Sequence, residues 1–276
     1  MSITQAIVLG IIQGITEFLP VSSSGHLIFL PKLFGWADQG VVFDVIVHVG
    51  TLVAVMWYFR KKLWNIFLAI THLAKEEKIQ NSKFEIKNYR TLGWMILLGT
   101  IPAGLIAVLF GNIVEEKLRT PFVIGVSFIV WGIVLGVADK IGRLKDWKIK
   151  RIGELHWKNA LFIGCAQAIA LIPGTSRSGI TLTAGLFSKL SKESAAEFSF
   201  LLSVPIIALA GLSGIRDMLG QTAEHIGLFP MFCGFIASMI SGLFAIGILM
   251  KIIKRWNFTP FVLYRIIVGL LILFFL

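Results

Sequence analysis

Two short stretches carry most of the side chains that could do chemistry in this 276-residue chain. The first, QGITEFLPVSSSGH at 13–26, offers the carboxamide of Gln13, the carboxylate of Glu17, the hydroxyls of Ser22, Ser23 and Ser24, and the imidazole of His26. The second, PGTSRSGIT at 173–181, sets Arg177 among Thr175, Ser176 and Ser178. A guanidinium and hydroxyls at the opening of a helix form an anion site, and the planar fork suits phosphate better than an ammonium does. A carboxylate with an imidazole and hydroxyls suits proton transfer, nucleophilic attack or the placing of a cation. Both stretches are otherwise free of charge. Glu17 is the only formal charge between Met1 and Lys32, and Arg177 the only one between Lys158 and Lys189. An ionisable group at bilayer depth costs roughly 2.5–3.5 kcal/mol on insertion scales, so it marks a functional position unless it is merely paired.

The surroundings are indeed those of a membrane. The chain is 56% hydrophobic and 15% charged, with a mean hydropathy of +0.83, where soluble domains carry about 25% charged residues. Apolar runs of spanning length recur along the whole sequence and leave no room for a separate soluble domain. Residues 3–12 lack a basic flank and a small-residue cleavage site, so no removed signal peptide is predicted. The net charge of +11 does not indicate nucleic acid, because the Lys and Arg gather in short loops between apolar runs. Cys165 and Cys233 lie in apolar runs without a CxxC pair and are expected to be small buried hydrophobes.

An internal repeat organises the elements that must position the two stretches. GIIQ at 10–13 recurs as GCAQ at 164–167, SSSGH at 22–26 is echoed by SRSGI at 176–180, and TPFV at 120–123 returns at 259–262, in the same order. Each half predicts one polar-interrupted segment and three spans: 5–30, 43–59, 91–110 and 121–138, then 160–187, 197–215, 229–249 and 260–276. Loops 60–90 and 139–158 are rich in Lys and Arg and belong inside; loop 111–120, with Glu115, Glu116, Lys117 and Arg119, belongs outside. Basic loop 251–258 falls inside only if 160–187 enters and leaves on one side. Three crossings per half then invert the halves, and their broken segments meet near the midplane from opposite faces. The expectation is an all-α polytopic membrane protein, one membrane domain over 1–276, built of inverted repeats at about 1–140 and 155–276. Each repeat has one re-entrant helix-loop-helix and three transmembrane helices.

That topology alone nominates a secondary transporter. Within the breaks, Gln13 and Glu17 share a helix face at i,i+4, Pro20 ends that helix, and Ser24 is expected to cap the next, with His26 in its first turn. Thr175 and Ser176 are expected to cap the helix that Arg177 opens. Plainer readings exist: capping turns, a Glu17–Arg177 ion pair, a packing histidine, a structural or supporting role for Asp44 and His48, and interfacial or paired Glu197 and Arg265. The aligned repeats are asymmetric, however, since His26 faces Ile180, Arg177 faces Ser23 and Glu17 faces Leu171. One half supplies acid and imidazole, the other the phosphate clamp. Transport has no general need of that division, whereas hydrolysis of a phosphate ester or anhydride does. A transporter or lipid flippase for a phosphorylated substrate, and a structural membrane subunit, stand as alternatives.

The two stretches together resemble the signature motifs of the undecaprenyl-diphosphate phosphatase family of bacterial membrane enzymes linked to bacitracin resistance. The likeness extends to FDVIVHVGTL at 43–52, AAEFSFLLSVP at 195–205 and the TPFV run at 259. It implies hydrolysis of undecaprenyl diphosphate to the monophosphate carrier lipid used in peptidoglycan synthesis, in the bacterial plasma membrane, with a divalent cation such as Mg²⁺ or Ca²⁺. Carried over by position, Glu17 is the essential acid, Gln13 the first acidic-or-Gln position, and His26, Ser23, Ser176 and Arg177 the remaining motif positions. Many members have Glu where Gln13 stands, which weakens any scheme in which two carboxylates share the metal. Arg177, with Thr175, Ser176, Ser178, Ser22 and Ser24, is expected to bind substrate. Glu17 with Gln13 is expected to hold the cation or activate water, and His26 or Ser23 to be nucleophile or base. The pocket is expected to open on the outer side.

Overall fold

A computed structural model describes residues 1–73, 82–144, 150–220 and 227–275. Among these the chain is helical, with one isolated bridge between Lys150 and Leu190 and no strand. The helices are α1 Ile3–Phe18, α2 Ser23–Leu33, α3 Gly40–Tyr58, α4 Arg60–Ile70, α5 Ser82–Leu118, α6 Pro121–Leu144, α7 Trp157–Ile169, α8 Arg177–Phe187, α9 Lys192–Gly220, α10 Leu228–Ile252 and α11 Thr259–Phe275. Five stretches are long and apolar enough to cross a membrane: Gly40–Tyr58, Lys87–Gly111, Pro121–Gly142, Lys192–Gly214 and Leu228–Ile252. The sixth expected span is α11, a shorter apolar helix of 17 residues. Its expected end, Leu276, lies outside the described residues, as do the loop lysines Lys75, Lys78, Lys145 and Lys148.

Both polar stretches break their segments into two short helices. α1 opens on a capping box in which the Ser2 hydroxyl accepts from the Gln5 backbone N–H and the Gln5 side-chain Oε1 accepts from the Ser2 N–H. It stops at Phe18 because Leu19, which precedes Pro20, is driven to extended backbone at φ −72°, ψ 145°. The next cap is Ser22 rather than the expected Ser24: the helix starts at Ser23, and the His26 N–H donates to the Ser22 carbonyl. In the second break Ser176 is the cap, as expected, and its hydroxyl accepts from the Gly179 N–H at 3.0 Å. Ser22 and Ser176 share an unusual backbone, φ 72° and 73°, which non-glycine residues hold only when the surroundings impose it.

Several stretches read as loop are helix: α5 takes in 82–90 and 111–118 and α6 takes in 139–144, each helix continuing past its apolar span, and a separate helix forms after α3. Arg60–Ile70 forms α4, whose Ile66 and Ala69 are buried on the α5 side while Trp64 and Phe67 stay exposed. Its three leading cations mask the short apolar face in the sequence. Both cysteines also depart from expectation: Cys165 is exposed and Cys233 half-buried, since each sits on an outward helix face.

Packing relies on small residues, as expected where lipid removes the hydrophobic drive between helices. α1 lies along α10 and α7 along α5. A Cβ on Gly10 would come 2.4 Å from the Gly234 carbonyl, and one on Gly164 would come 2.4 Å from the Gly99 carbonyl. α6 packs on α11 and α3 on α9.

The breaks are pinned by one residue that was expected at an interface or in an ion pair. Arg265 of α11 is fully buried and donates to five carbonyls: Pro20 in the first break, Gly174 and Thr175 in the second, and Ser127 and Phe128 of α6. Its guanidinium also lies over the Phe128 ring at 5.4 Å. Glu197, by contrast, is paired with Lys62, as one of the plainer readings had it. Because buried acceptors left unpaired cost about 1–3 kcal/mol each, Arg265→Met is expected to destabilise the fold by at least about 3 kcal/mol. Arg265→Lys, which reaches fewer carbonyls, falls between. Thermal unfolding in detergent, against the exposed control Lys254→Met, checks this; an Arg265→Met protein as stable as the control refutes it.

Candidate active site

α1 delivers Gln13 and Glu17 one turn apart on its buried face, where they are 0% and 5% exposed. Gln13 Nε2 donates to Glu17 Oε2 at 3.1 Å. The turn at 19–22 then reverses the chain so that Ser23, the first residue of α2, returns its hydroxyl to the same oxygen at 2.6 Å. The second break approaches from the other side. Gly174, at φ +87°, lies so close to α6 that a Cβ would come 2.6 Å from the Ile124 carbonyl, so only glycine fits there. Arg177 then opens α8 and reaches Glu17 Oε1 with Nε at 3.3 Å and Nη2 at 3.1 Å, while Nη1 donates to the Ser199 carbonyl at 3.0 Å. Ser178 closes the junction by donating to the Leu19 carbonyl at 2.9 Å.

The structure thus brings Gln13, Glu17, Ser23 and Arg177 into one network drawn from both breaks. The plain reading of a Glu17–Arg177 ion pair is realised in this state, with the guanidinium 13% exposed. Thr175 and Ser176 are buried just behind Arg177; the Thr175 hydroxyl lacks a partner, and that of Ser176 lies 3.3 Å from Ser178 Oγ. Ser22 and Ser24 are within 3.4 Å of each other through their hydroxyls.

His26 stands apart from this network. Its Nδ1 is 2.7 Å from the Ser22 carbonyl, which only accepts, so Nδ1 carries the proton. Its Nε2 is 2.6 Å from the Tyr264 hydroxyl and accepts from it, and the two rings stack at 5.8 Å. The imidazole nearest Glu17 is instead His48, with Nε2 3.6 Å from Oε2. His48, Asp44 and Ser24 line a cavity of about 240 Å³ together with Leu27, Arg119 and Pro173. Asp44 accepts from Gln39 at 2.7 Å and lies 3.7 Å from Arg119.

Sequence reasoning noted His48 only as supporting, and missed Ser199, Tyr264 and the burial of Arg265. Their signal was there in part: an ionisable residue inside a span, and a His four residues after an Asp. What spacing cannot supply is a contact between helices, whether 22 residues apart as for Arg177 and Ser199 or 245 as for Arg265 and Pro20.

The oxygens here fit a hard divalent cation. Glu17 and Gln13 offer carboxylate and carboxamide oxygens, and Gln13 Oε1 is buried without a hydrogen-bond partner. Among the described residues no three of His, Cys, Asp and Glu converge, so oxygens of a substrate would have to complete the shell.

The chain is 47% identical over 278 residues to Undecaprenyl-diphosphatase 2 of Stutzerimonas stutzeri (strain A1501), covering 99% of each chain. It is 46% identical to Undecaprenyl-diphosphatase 1 of Pseudoalteromonas translucida (strain TAC 125), over 100% of this chain and 99% of that one. Undecaprenyl-diphosphatase of Aliivibrio salmonicida (strain LFI1238) is 45% identical over 98% of this chain and 96% of that one. With residues 6–271 also matching the family described as Bacitracin resistance protein BacA, the chain belongs to the BacA family.

Proposed function

We propose that this protein hydrolyses undecaprenyl diphosphate to undecaprenyl phosphate and inorganic phosphate, recycling the carrier lipid for cell-wall synthesis. The observation that carries the proposal is the meeting of a carboxylate, a hydroxyl and a guanidinium, Glu17, Ser23 and Arg177, from two separate breaks in apolar segments. Diphosphate takes the place of Glu17 on the Arg177 fork, a stronger partner because it carries more charge and more acceptor oxygens. Free N–H groups at the start of α8 add to the anion site. Glu17, released from Arg177, keeps Ser23 Oγ–H at 2.6 Å and is poised to take its proton.

Ser23 Oγ then attacks the terminal phosphorus. The bond from that phosphorus to the bridging oxygen breaks, and undecaprenyl phosphate leaves with the proton relayed by Glu17. Water attacks the phosphoserine in turn, Glu17 taking its proton; the bond from phosphorus to Ser23 Oγ breaks, Glu17 returns that proton to Oγ, and inorganic phosphate is released. His26 is the weaker nucleophile because both of its nitrogens are engaged, by Ser22 and Tyr264. Glu17 and Gln13 would hold a divalent cation such as Mg²⁺ or Ca²⁺. When bound, it neutralises charge on the diphosphate oxygens.

The site belongs to inverted repeats, with α1 and α2 answering to α7 and α8, in a multi-pass protein of the bacterial plasma membrane. Support comes from exchange of partners: α1 packs on α10 as α7 packs on α5, each through a glycine pair, and α3–α9 and α6–α11 pair across the halves. The cavity at Ser24 and His48 includes Arg119, which follows α5 in the stretch 111–120 that the charge pattern assigns outside, and this supports a site that opens on the outer face.

Phosphate release from undecaprenyl diphosphate by purified protein with Mg²⁺ tests the reaction. Arg177→Ala and Glu17→Ala are each expected to lose at least about 10²–10³-fold in kcat, the scale of losing a charge-stabilising group. Well-folded wild type that binds the lipid but releases no phosphate returns a transporter to first place. Substrate trapped on the enzyme and mapped by mass spectrometry is expected to mark Ser23; label on His26 overturns the assignment. A Ser24→Cys protein in whole cells is expected to react with impermeant maleimide, and labelling only after the cytoplasmic side is opened refutes the outer face.

A further inference from the structure

His48 is held in a way that proton transfer between hydrogen-bonding partners does not explain. Its Nδ1 is 2.6 Å from the Asp44 carbonyl one turn earlier. A carbonyl only accepts, so Nδ1 carries a hydrogen, and in the neutral ring the lone pair therefore lies on Nε2. That lone pair meets Glu17 Oε2 at 3.6 Å. Two electron-rich atoms face each other at a distance beyond a hydrogen bond. Ligand bonds of about 2.0–2.2 Å, however, set two neighbouring ligands of one ion roughly 3–3.6 Å apart. A third atom beside them wants a partner: Gln13 Oε1 is buried and unpaired, although Gln13 Nε2 is anchored on the same Glu17 oxygen. The cavity lined by His48 gives an ion a way in, and Asp44 is not a competing ligand, its carboxylate being engaged by Gln39 and near Arg119.

We propose that His48 Nε2 is a third protein ligand, with Glu17 and Gln13, of the divalent cation in this chain. The Asp44 carbonyl orients the ring, the usual support of a ligating imidazole. The inference rests on the cation reading above and changes its consequence. Two oxygens and an imidazole nitrogen move the preference away from Mg²⁺ and Ca²⁺, which take oxygen, toward ions that accept imidazole, such as Fe²⁺ or Zn²⁺, and Mn²⁺, which takes oxygen with an imidazole beside it, serves as the paramagnetic probe. With one carboxylate, itself neutralised by Arg177, the protein set is weak alone. Diphosphate, by drawing Arg177 away and adding oxygens, makes cation and substrate bind cooperatively.

Electron-spin-echo spectroscopy of Mn²⁺ on the purified protein, with and without methylene diphosphonate as a non-hydrolysable diphosphate, tests this. Bound Mn²⁺ is expected to show ¹⁴N modulation that becomes a ¹⁵N pattern when the protein carries ¹⁵N-histidine, a readout that needs no variant. His48→Gln is expected to keep its fold, lose the nitrogen signal, and bind Mn²⁺ about 10–100-fold more weakly, with a smaller change for Mg²⁺. Bound Mn²⁺ without nitrogen modulation in wild type overturns the assignment, as does modulation that persists in His48→Gln. Phosphate release in wild type separates the two levels: turnover with Mn²⁺ bound away from nitrogen sinks only the His48 ligand. Nitrogen-bound Mn²⁺ without turnover sinks only the phosphatase reading.

Discussion

A guanidinium shut away from the surface has to be satisfied by protein groups, and the arrangement of this protein follows from how Arg265 meets that demand. Its donors reach Pro20, Gly174, Thr175, Ser127 and Phe128, so three stretches distant in sequence have to converge on one residue. None of the carbonyls is charged, and the cost of burying the cation is offset by number and geometry instead of by an opposite charge. Once the carbonyls of both turns are gathered there, the helices that follow them start from fixed points. Ser23 and Arg177, the first residues of α2 and α8, then face Glu17.

The second organising feature is the shortness of the helices around the breaks. α2 and α8 have 11 residues each, too few to cross a bilayer, and they start at serines in the same strained conformation. Irregular backbone at membrane depth is tolerated only where protein or a cavity covers it. Here that cover is Arg265, the α6 carbonyl edge against Gly174, and the Ser178–Leu19 hydrogen bond.

Much of this was legible in the sequence, and the limits have physical causes. The i,i+4 pair Gln13–Glu17, the Ser176 cap and the opening position of Arg177 are local, and helix geometry dictates them. The spans follow from length and hydropathy, except that α11 is shorter and α4 was hidden behind Arg60, Lys61 and Lys62. Ser24 and Ser22 are equally good caps by composition; the choice is made by where the turn after Pro20 delivers the chain. Arg265 could not be read as a core residue, because its partners are backbone atoms and leave no trace in side-chain chemistry. The motif set His26 ahead of His48, and that His48 lies against Glu17 depends on a helix, α3, that packs against α1 only in three dimensions.

Tyr264 and Arg265 are neighbours on α11, one against His26 and the other on the two turns. Successive helix residues point about 100° apart, so a single rod grips two different parts of the site. With 17 residues at about 1.5 Å each, that rod is roughly 25 Å long, less than the hydrocarbon of an average bilayer. Any shift or tilt of α11 is therefore felt at His26, Pro20 and Gly174 together.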